Sequence, residues 1–469
     1  MAPLLPARRS PWPDRVSPAW LSVPIGLLAA AAVLTVAPVD GATARLLAIT
    51  LFCIALWIAT PVPPAYTGLL CIGLVGATFS TDLALTGFRS ATVWLVVFGL
   101  LLGEAARKSG LAAWGGTRIE ALAWPTDRNR LSARLAYRRL TLVLAVAALL
   151  FAFLVPSALV RILTIAPISA KLGETFDSRR ARAGIFLGPL LVTFYAAPGV
   201  FTAGLPNIIT SGIAESLGAT APSWTGWTLQ MFPLMGFGRA AVVTAVVYFR
   251  FRPPDDESVA VPAREPSLAG PERKMLAFLL VGVLVWTTDA IHGLHPVFGA
   301  LVVVLLALLP GLGVVTLDDL AETDLSIIFF IGAVFAIGTG LSQTGFTETA
   351  AESLLGVIPV AAPLWQVLLF VFGVTVVLTF LIEGLAVASV LTPVLVSYAQ
   401  QSGLPLDPVL MVESVALGTY FFPYQTVVFV AILGEGVVDA GTLVKTAAWA
   451  SLATTVLLLG QIGLFALLY

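Results

Sequence analysis

Charge is what this sequence has least of. Only 11% of its 469 residues are charged, against about a quarter in ordinary soluble domains. Cysteine and histidine occur twice each. Cys53 and Cys71 both sit in apolar stretches and read as buried small hydrophobes rather than a disulfide. With His292 and His295 the only histidines, no metal or haem centre has enough ligands. The net charge of −1 gives no electrostatic footprint for nucleic acid. Nor is there a nucleophile beside a base, or a carboxylate pair at catalytic spacing, so an enzyme is not expected.

Apolar residues are what remains: 58% of the chain, with a mean hydropathy of +0.98. A soluble protein of this length could not bury so much apolar surface, so the chain belongs in a bilayer. A spanning helix needs about 20 apolar residues. Apolar stretches recur from residues 20–39 to 447–468, with shorter arms at 162–172 and 385–398. The expected fold is an all-α polytopic membrane protein with about 11 transmembrane helices and two re-entrant helical hairpins in inverted-topology repeats.

Basic residues set the orientation. They concentrate in 8–15, 107–139, 171–182 and 250–274, and only Lys445 follows Lys274. By the positive-inside rule these four segments are cytoplasmic. The N-terminus is then inside an inner (plasma) membrane and the C-terminus is expected outside. Residues 1–18 form a polar, Pro-rich cytoplasmic arm that does not read as a cleaved leader. Segment 107–139 is expected to contain an interfacial helix, because Trp114, Trp124 and Leu131 alternate with arginines.

Two segments break the simple count of spans. Residues 140–172 would be about 50 Å long as a helix, and 360–398 about 60 Å. Each carries a polar break: Pro156-Ser157 with Arg161 nearby in the first, Glu383-Gly384 in the second. The first is flanked by basic residues on both sides, which a hairpin that dips in and returns satisfies and a single span does not. Further on, a span is interrupted at Gly204-Leu205-Pro206-Asn207, and another at Pro423-Tyr424-Gln425-Thr426.

These features repeat in order. Phe98-Gly99 with Ser109-Gly110 is echoed by Ile331-Gly332 with Thr344-Gly345, Pro167 by Pro393, and Pro206 by Pro423. The chain therefore divides into a first repeat, 19–250, with hairpin 140–172 and broken helix 185–216; a cytoplasmic linker, 251–273; and a second, inverted repeat, 274–469, with hairpin 360–398 and broken helix 409–433. Inverted repeats with a hairpin and a broken helix each are the architecture of secondary transporters, whose site lies where the repeats meet. Free N–H groups at a half-helix N-terminus hold anions, and free carbonyls at a half-helix C-terminus hold cations.

The candidate substrate-binding residues are Pro156, Ser157, Arg161, Asn207, Glu383, Gly384, Gln425 and Thr426. Candidate ion-binding positions are Ser157, Gly204, Glu383 and Pro423. Arg161 either offers its guanidinium to an anion or pairs with an internal acid and holds the hairpin. Glu383 either binds a coupling ion or proton, or neutralises Arg161 across the pseudo-two-fold axis. Asn207, Gln425 and Thr426 either contact substrate or satisfy carbonyls freed by Pro206 and Pro423. Glu104, Arg239, Asp289 and Glu413 are expected to form interfacial or interhelical pairs.

The pattern resembles the divalent anion–sodium symporters of the ion transporter superfamily. Those proteins carry Ser-Asn-Thr at each hairpin tip, a proline ten residues after the serine, and a proline-centred break in the next helix. Pro156-Ser157-Ala158-Leu159-Val160-Arg161 with Pro167, and Glu383-Gly384-Leu385 with Pro393, follow that order and spacing. Ala158, Leu159, Gly384 and Leu385 do not supply the side-chain groups of the family's Asn and Thr. A backbone-only sodium site, proton coupling through Glu383, or exchange without a cation all fit. The resemblance implies small-anion transport (dicarboxylates or sulfate), an elevator motion, a homodimer, and no cofactor beyond sodium or a proton. A cation–proton antiporter or arsenite-type efflux permease of the same superfamily is the alternative.

Overall fold

The structure, a computed structural model, describes residues 18–111, 114–116, 118, 122, 132–254, 270–357 and 362–469. The arm at 1–17, most of the expected interfacial segment (including Trp124 and Leu131) and most of the linker lie outside the described residues. Among those described there is no strand, and twenty α-helices have five or more residues.

In the first half these are α1 (Ser22–Val36), α2 (Gly41–Ala59), α3 (Pro64–Thr78), α4 (Ala91–Lys108), α5 (Ala133–Leu154), α6 (Ala158–Gly173), α7 (Arg179–Tyr195), α8 (Leu205–Ser216), α9 (Trp224–Met231) and α10 (Arg239–Phe251). The second half has α11 (Gly270–Thr287), α12 (Val297–Leu308), α13 (Leu317–Ala321), α14 (Ile327–Gln343), α15 (Phe346–Val357), α16 (Leu364–Thr379), α17 (Gly384–Ser402), α18 (Leu406–Leu417), α19 (Val427–Gly434) and α20 (Ala440–Leu468). By length and hydropathy six helical segments can cross a bilayer alone, and α14 with α15, bent by 76°, makes a seventh. Helices α3, α12 and α16 are apolar but shorter.

Local chemistry sets the ends. Asp40 caps α2 by accepting from Ala42 and Thr43 N–H, at 2.8 and 3.1 Å. Ser178 caps α7 through Ala181 N–H. Helix α5 starts at Ala133 rather than at 140, capped by Ser132. Its first turns include Arg134, Arg138 and Arg139. Arginine is a good helix former, so a basic cluster marks depth in the membrane and does not end the helix.

Helices are interrupted ahead of both proline-centred segments. Helix α7 stops at Tyr195, two 3₁₀ turns follow at Ala197–Gly199 and Phe201–Ala203, and α8 starts with Pro206 in its first turn. Helix α18 stops at Leu417, a 3₁₀ turn runs over Pro423–Gln425, and α19 starts behind Thr426. The first break packs on a π-helical segment, Phe232–Gly238, that joins α9 to α10. A Cβ on Gly199 would collide with the Gly236 backbone, so glycine permits that approach.

Packing crosses the two halves. Helix α8, from the first broken helix, packs on α17 and α18, and α19, from the second, packs on α6. One apolar core joins α5, α6, α7 and α10 to α19 and α20. Another joins α8 to α17 and α18, and to α2, α3, α4 and α14. At the end of α4, Lys108 pairs with Glu322 (2.6 Å) and Asp319 (3.5 Å), just before α14. At the other end of α14, the Thr344 carbonyl accepts from the Thr43 hydroxyl near the start of α2 (3.1 Å). The acidic run 318–324 thus supplies part of α13 and an ion pair to the first half, rather than only a solvated loop.

Candidate functional site

The two broken helices place most of the candidate residues in the buried interior. Arg161, on the first turn of α6, is fully buried. Its Nη1 donates to the Val155 carbonyl at the end of α5 (2.6 Å). Its Nη2 donates to Ala203 (2.9 Å) and Thr193 (3.3 Å), on either side of the first break. No carboxylate lies within ion-pair distance among the described residues, and Nε has no partner. The guanidinium therefore ties the first hairpin tip to the first break through carbonyls that the chain reversal and the break leave free of helical partners. The expected Arg161–Glu383 pair is not formed.

Asn207 works on the same segment from the other side. Its Nδ2 lies within hydrogen-bond reach of the Ala197, Val200 and Phe201 carbonyls, at 3.0–3.2 Å. Its Oδ1 accepts from the Ser414 hydroxyl on α18 (2.5 Å). This bond spans 207 residues of sequence and joins the first break to the second half. Trp227 donates to the Pro198 carbonyl (2.9 Å) and Trp224 to the Thr202 hydroxyl (3.1 Å). Gly204, the first residue before α8, has extended φ and no side-chain cap, and a proline follows two residues later. That half-buried helix N-terminus thus lacks a side-chain acceptor among the described residues.

The second break is held in the same manner. Gln425 Oε1 accepts from Phe421 and Phe422 N–H (2.7 and 2.8 Å), while Nε2 donates to the Thr379 carbonyl at the end of α16 (3.0 Å). Thr426 caps α19 through Val428 N–H. Pro423 opens the 3₁₀ turn. Tyr195, at the end of α7, reaches the Tyr420 carbonyl (3.1 Å) and Ser451 (2.9 Å), linking the two breaks.

The tips are capped by their own residues. Ser157 caps α6, and Pro156 packs on the space left by Gly99 of α4. Glu383 Oε2 accepts from Leu385 and Ala386 N–H (2.8 and 3.3 Å), so its carboxylate sits on the N-terminus of α17. A Cβ on Gly384 would lie 2.6 Å from the Leu417 carbonyl and collide with the Tyr420 hydroxyl, so the tip fits against the second break only as glycine.

Of the four charges expected to pair, one forms an ion pair and the other three form none among the described residues. Glu104 pairs with Arg107, and Asp289 accepts from Thr225 N–H (3.1 Å). Arg239 is buried over the Tyr195 ring and donates to Thr454, with no carboxylate partner. Glu413 is buried and accepts only from the Thr392 hydroxyl (2.8 Å). Ser414, Thr392 and Thr379 escaped sequence reasoning. The only signal was a polar Glu413-Ser414 pair inside an apolar run. A cavity of about 690 Å³ opens between the second hairpin and α2, α14 and α15, lined by Asp40, Thr43, Thr344, Leu378, Ile382 and Val390 among others. None of the hydrogen-bonded break residues lines it.

Known proteins resemble this chain in fold and in sequence. A solved structure, the YdaH transporter of Alcanivorax borkumensis, superposes with a TM-score of 0.58 at 16% identity, covering 91% of this chain and 98% of that one. At that identity the likeness concerns the fold. An L-tartrate/succinate antiporter from Shigella dysenteriae serotype 1 (strain Sd197) is 24% identical over 369 residues, 74% of this chain and 72% of the relative. Its counterpart in Escherichia coli (strain K12) is 23% identical over the same shares. The family model described as "Sodium:sulfate symporter transmembrane region" matches residues 13–468. The chain belongs to that family, and is a membrane transporter rather than an enzyme.

Proposed function

We propose that this protein is a secondary carrier of small divalent anions of the dicarboxylate or sulfate type, with its binding site where the two broken helices meet. The observation that carries the reading is the bond from Ser414 to Asn207, which places the uncapped N-terminus of α8 against the second half. A half-buried helix N-terminus without a side-chain acceptor offers N–H groups and a positive dipole end to an anion. The relatives' names supply the anion class, since they exchange tartrate and succinate.

In this reading residues 19–250 and 274–469 are inverted repeats joined by a cytoplasmic linker at 251–273, with about 11 spans and two re-entrant hairpins (140–172 and 360–398). The opposed course of α4 and α14 supports it, since the end of α4 meets the start of α14. So does the exchange of α8 and α19 between the halves. The hairpins and broken helices (185–216 and 409–433) move as an elevator against a scaffold that forms a homodimer, in the inner membrane, with the N-terminus inside and the C-terminus outside. Pro156, Ser157, Gly384, Gln425 and Thr426 shape the site. Arg161 and Glu383 hold the two tips, and a cation, sodium or proton, drives accumulation.

The test is thermal unfolding of the purified protein with succinate, tartrate, sulfate and chloride. A ligand at 100 times its Kd adds about 2.7 kcal/mol to folded-state stability. Succinate or tartrate is expected to raise the transition and chloride to leave it unchanged. A panel in which no divalent anion stabilises the protein contradicts the reading.

A further inference from the structure

Glu413 has no counter-charge among the described residues. It lies in the middle of α18, its side chain is fully buried, and the Thr392 hydroxyl on α17 donates to Oε1 (2.8 Å). Its other oxygen, Oε2, is buried and has no partner. The elements packed on α18 are α8, α16, α17, α20 and the turn at 197–199. Their titratable side chains are Glu215 on α8, Tyr398 on α17 with Glu383 at its cap, and Lys445 on α20. Asp407 lies on α18 itself, and Tyr420 follows it. None of these pairs with Glu413, and Glu215 instead faces His295 (3.5 Å). An isolated ionised carboxylate in such surroundings is very costly, so the site demands a positive partner on Oε2.

The surroundings select which partner. A sodium ion needs several oxygen ligands. Of the hydroxyls nearby in sequence, Thr392 is hydrogen-bonded to Glu413, through Oε1, while Ser414 is held on Asn207 and Ser389 on the Ala386 carbonyl. No cluster of three His, Cys, Asp or Glu side chains occurs among the described residues, so a sodium site here would have to rest on hydroxyl and backbone oxygens. A proton needs only the one free oxygen. Glu383 differs, because two backbone N–H groups at a helix N-terminus already match its charge.

We propose that Glu413 is the proton-binding carboxyl of this carrier, an inference that rests on the anion-carrier reading above. A proton from the aqueous phase on one side forms a bond to Oε2 using the carboxylate electron pair, and the buried site becomes neutral. On the other side the O–H bond breaks, the proton passes to water, and the carboxylate is restored. Thr392 reports the state of Glu413 to the second hairpin. Ser414, the next residue of α18, ties the same helix turn to Asn207 and the first break. Proton occupancy is thereby coupled to both mobile parts.

Glu413→Gln keeps the shape and the acceptor for Thr392 but cannot gain or lose a proton. The experiment compares the wild-type protein with this variant in proteoliposomes, using labelled succinate. One arm measures succinate:succinate exchange with no ion gradient, the second uptake driven by a pH gradient, and the third uptake driven by a sodium gradient at equal pH. The expected result is exchange by both proteins, pH-driven accumulation by the wild type alone, and no sodium-driven accumulation by either. Equal pH-driven accumulation by both overturns the assignment, as does sodium-driven uptake that vanishes in the variant. Absence of exchange by the folded wild-type protein removes the carrier reading itself. If Glu413→Gln does not fold, Glu413→Asp and infrared difference spectra across an acid titration decide. A carboxyl C=O band that shifts with the Asp substitution supports the proposal, and an unchanged band rejects it.

Discussion

Asn207→Leu is expected to cost about 3–5 kcal/mol of folded-state stability and to abolish transport. Leucine has nearly the same volume but no polar atom. It leaves the Phe201 carbonyl without a donor and the Ser414 hydroxyl without its acceptor, and strips a second bond from the Ala197 and Val200 carbonyls, which keep the Val200 and Ala203 N–H. Each buried polar group left unmade costs about 1–3 kcal/mol, and the 196–204 segment has few helical hydrogen bonds to fall back on. Asn207→Asp is expected to do no better, since it presents an oxygen to three carbonyl oxygens. Thermal unfolding in detergent reads the loss. A double-mutant cycle with Ser414→Ala should give a coupling of about 1 kcal/mol. An Asn207→Leu protein of unchanged stability would mean that the first break is held by other contacts.

Arg161→Met is expected to lower stability by about 3 kcal/mol, with uptake falling to background. Two effects oppose each other. Removing a buried charge relieves its desolvation cost, which is why apolar replacements of complete buried ion pairs are often neutral. Here the guanidinium has no acid partner to remove with it, and its departure strips the donor from carbonyls at Val155, Thr193 and Ala203. Three such losses at about 1–3 kcal/mol each outweigh the relief. Arg161→Lys retains the charge but offers one compact ammonium where a planar fork spans three acceptors, so it should recover only part of the loss. Stability is read by thermal unfolding and activity by uptake. A variant that is fully stable yet inactive would move Arg161 from the frame to the bound anion.

Much of the frame was legible from local signals. Pro206 and Pro423 announced the breaks, because proline removes a donor and cannot continue a helix interior. Pro156-Ser157 and Glu383-Gly384 marked the tips, and both Ser157 and Glu383 are helix caps in the structure. Helices α5 and α7 start earlier than their apolar runs, because the arginines at their beginnings continue the helix.

What the sequence could not reveal was partnership. Asn207 finds Ser414, Gln425 finds Thr379, and Tyr195 finds Tyr420, at separations no periodicity encodes. Sequence alone also leaves open whether Arg161 and Glu383 neutralise each other or serve ligands. Each is instead satisfied by backbone groups nearby, the carbonyls of a break and the N–H groups of a helix start. Glu413, expected to be an interhelical pair, is buried with no cation beside it among the described residues and only the Thr392 hydroxyl as donor.

Exchange of labelled succinate in proteoliposomes containing only the purified protein tests the proposed carrier most directly. The expected result is saturable uptake of external label that is accelerated by unlabelled succinate or tartrate inside and inhibited by the same anions outside. Folded, inserted protein that exchanges neither dicarboxylates nor sulfate would contradict it.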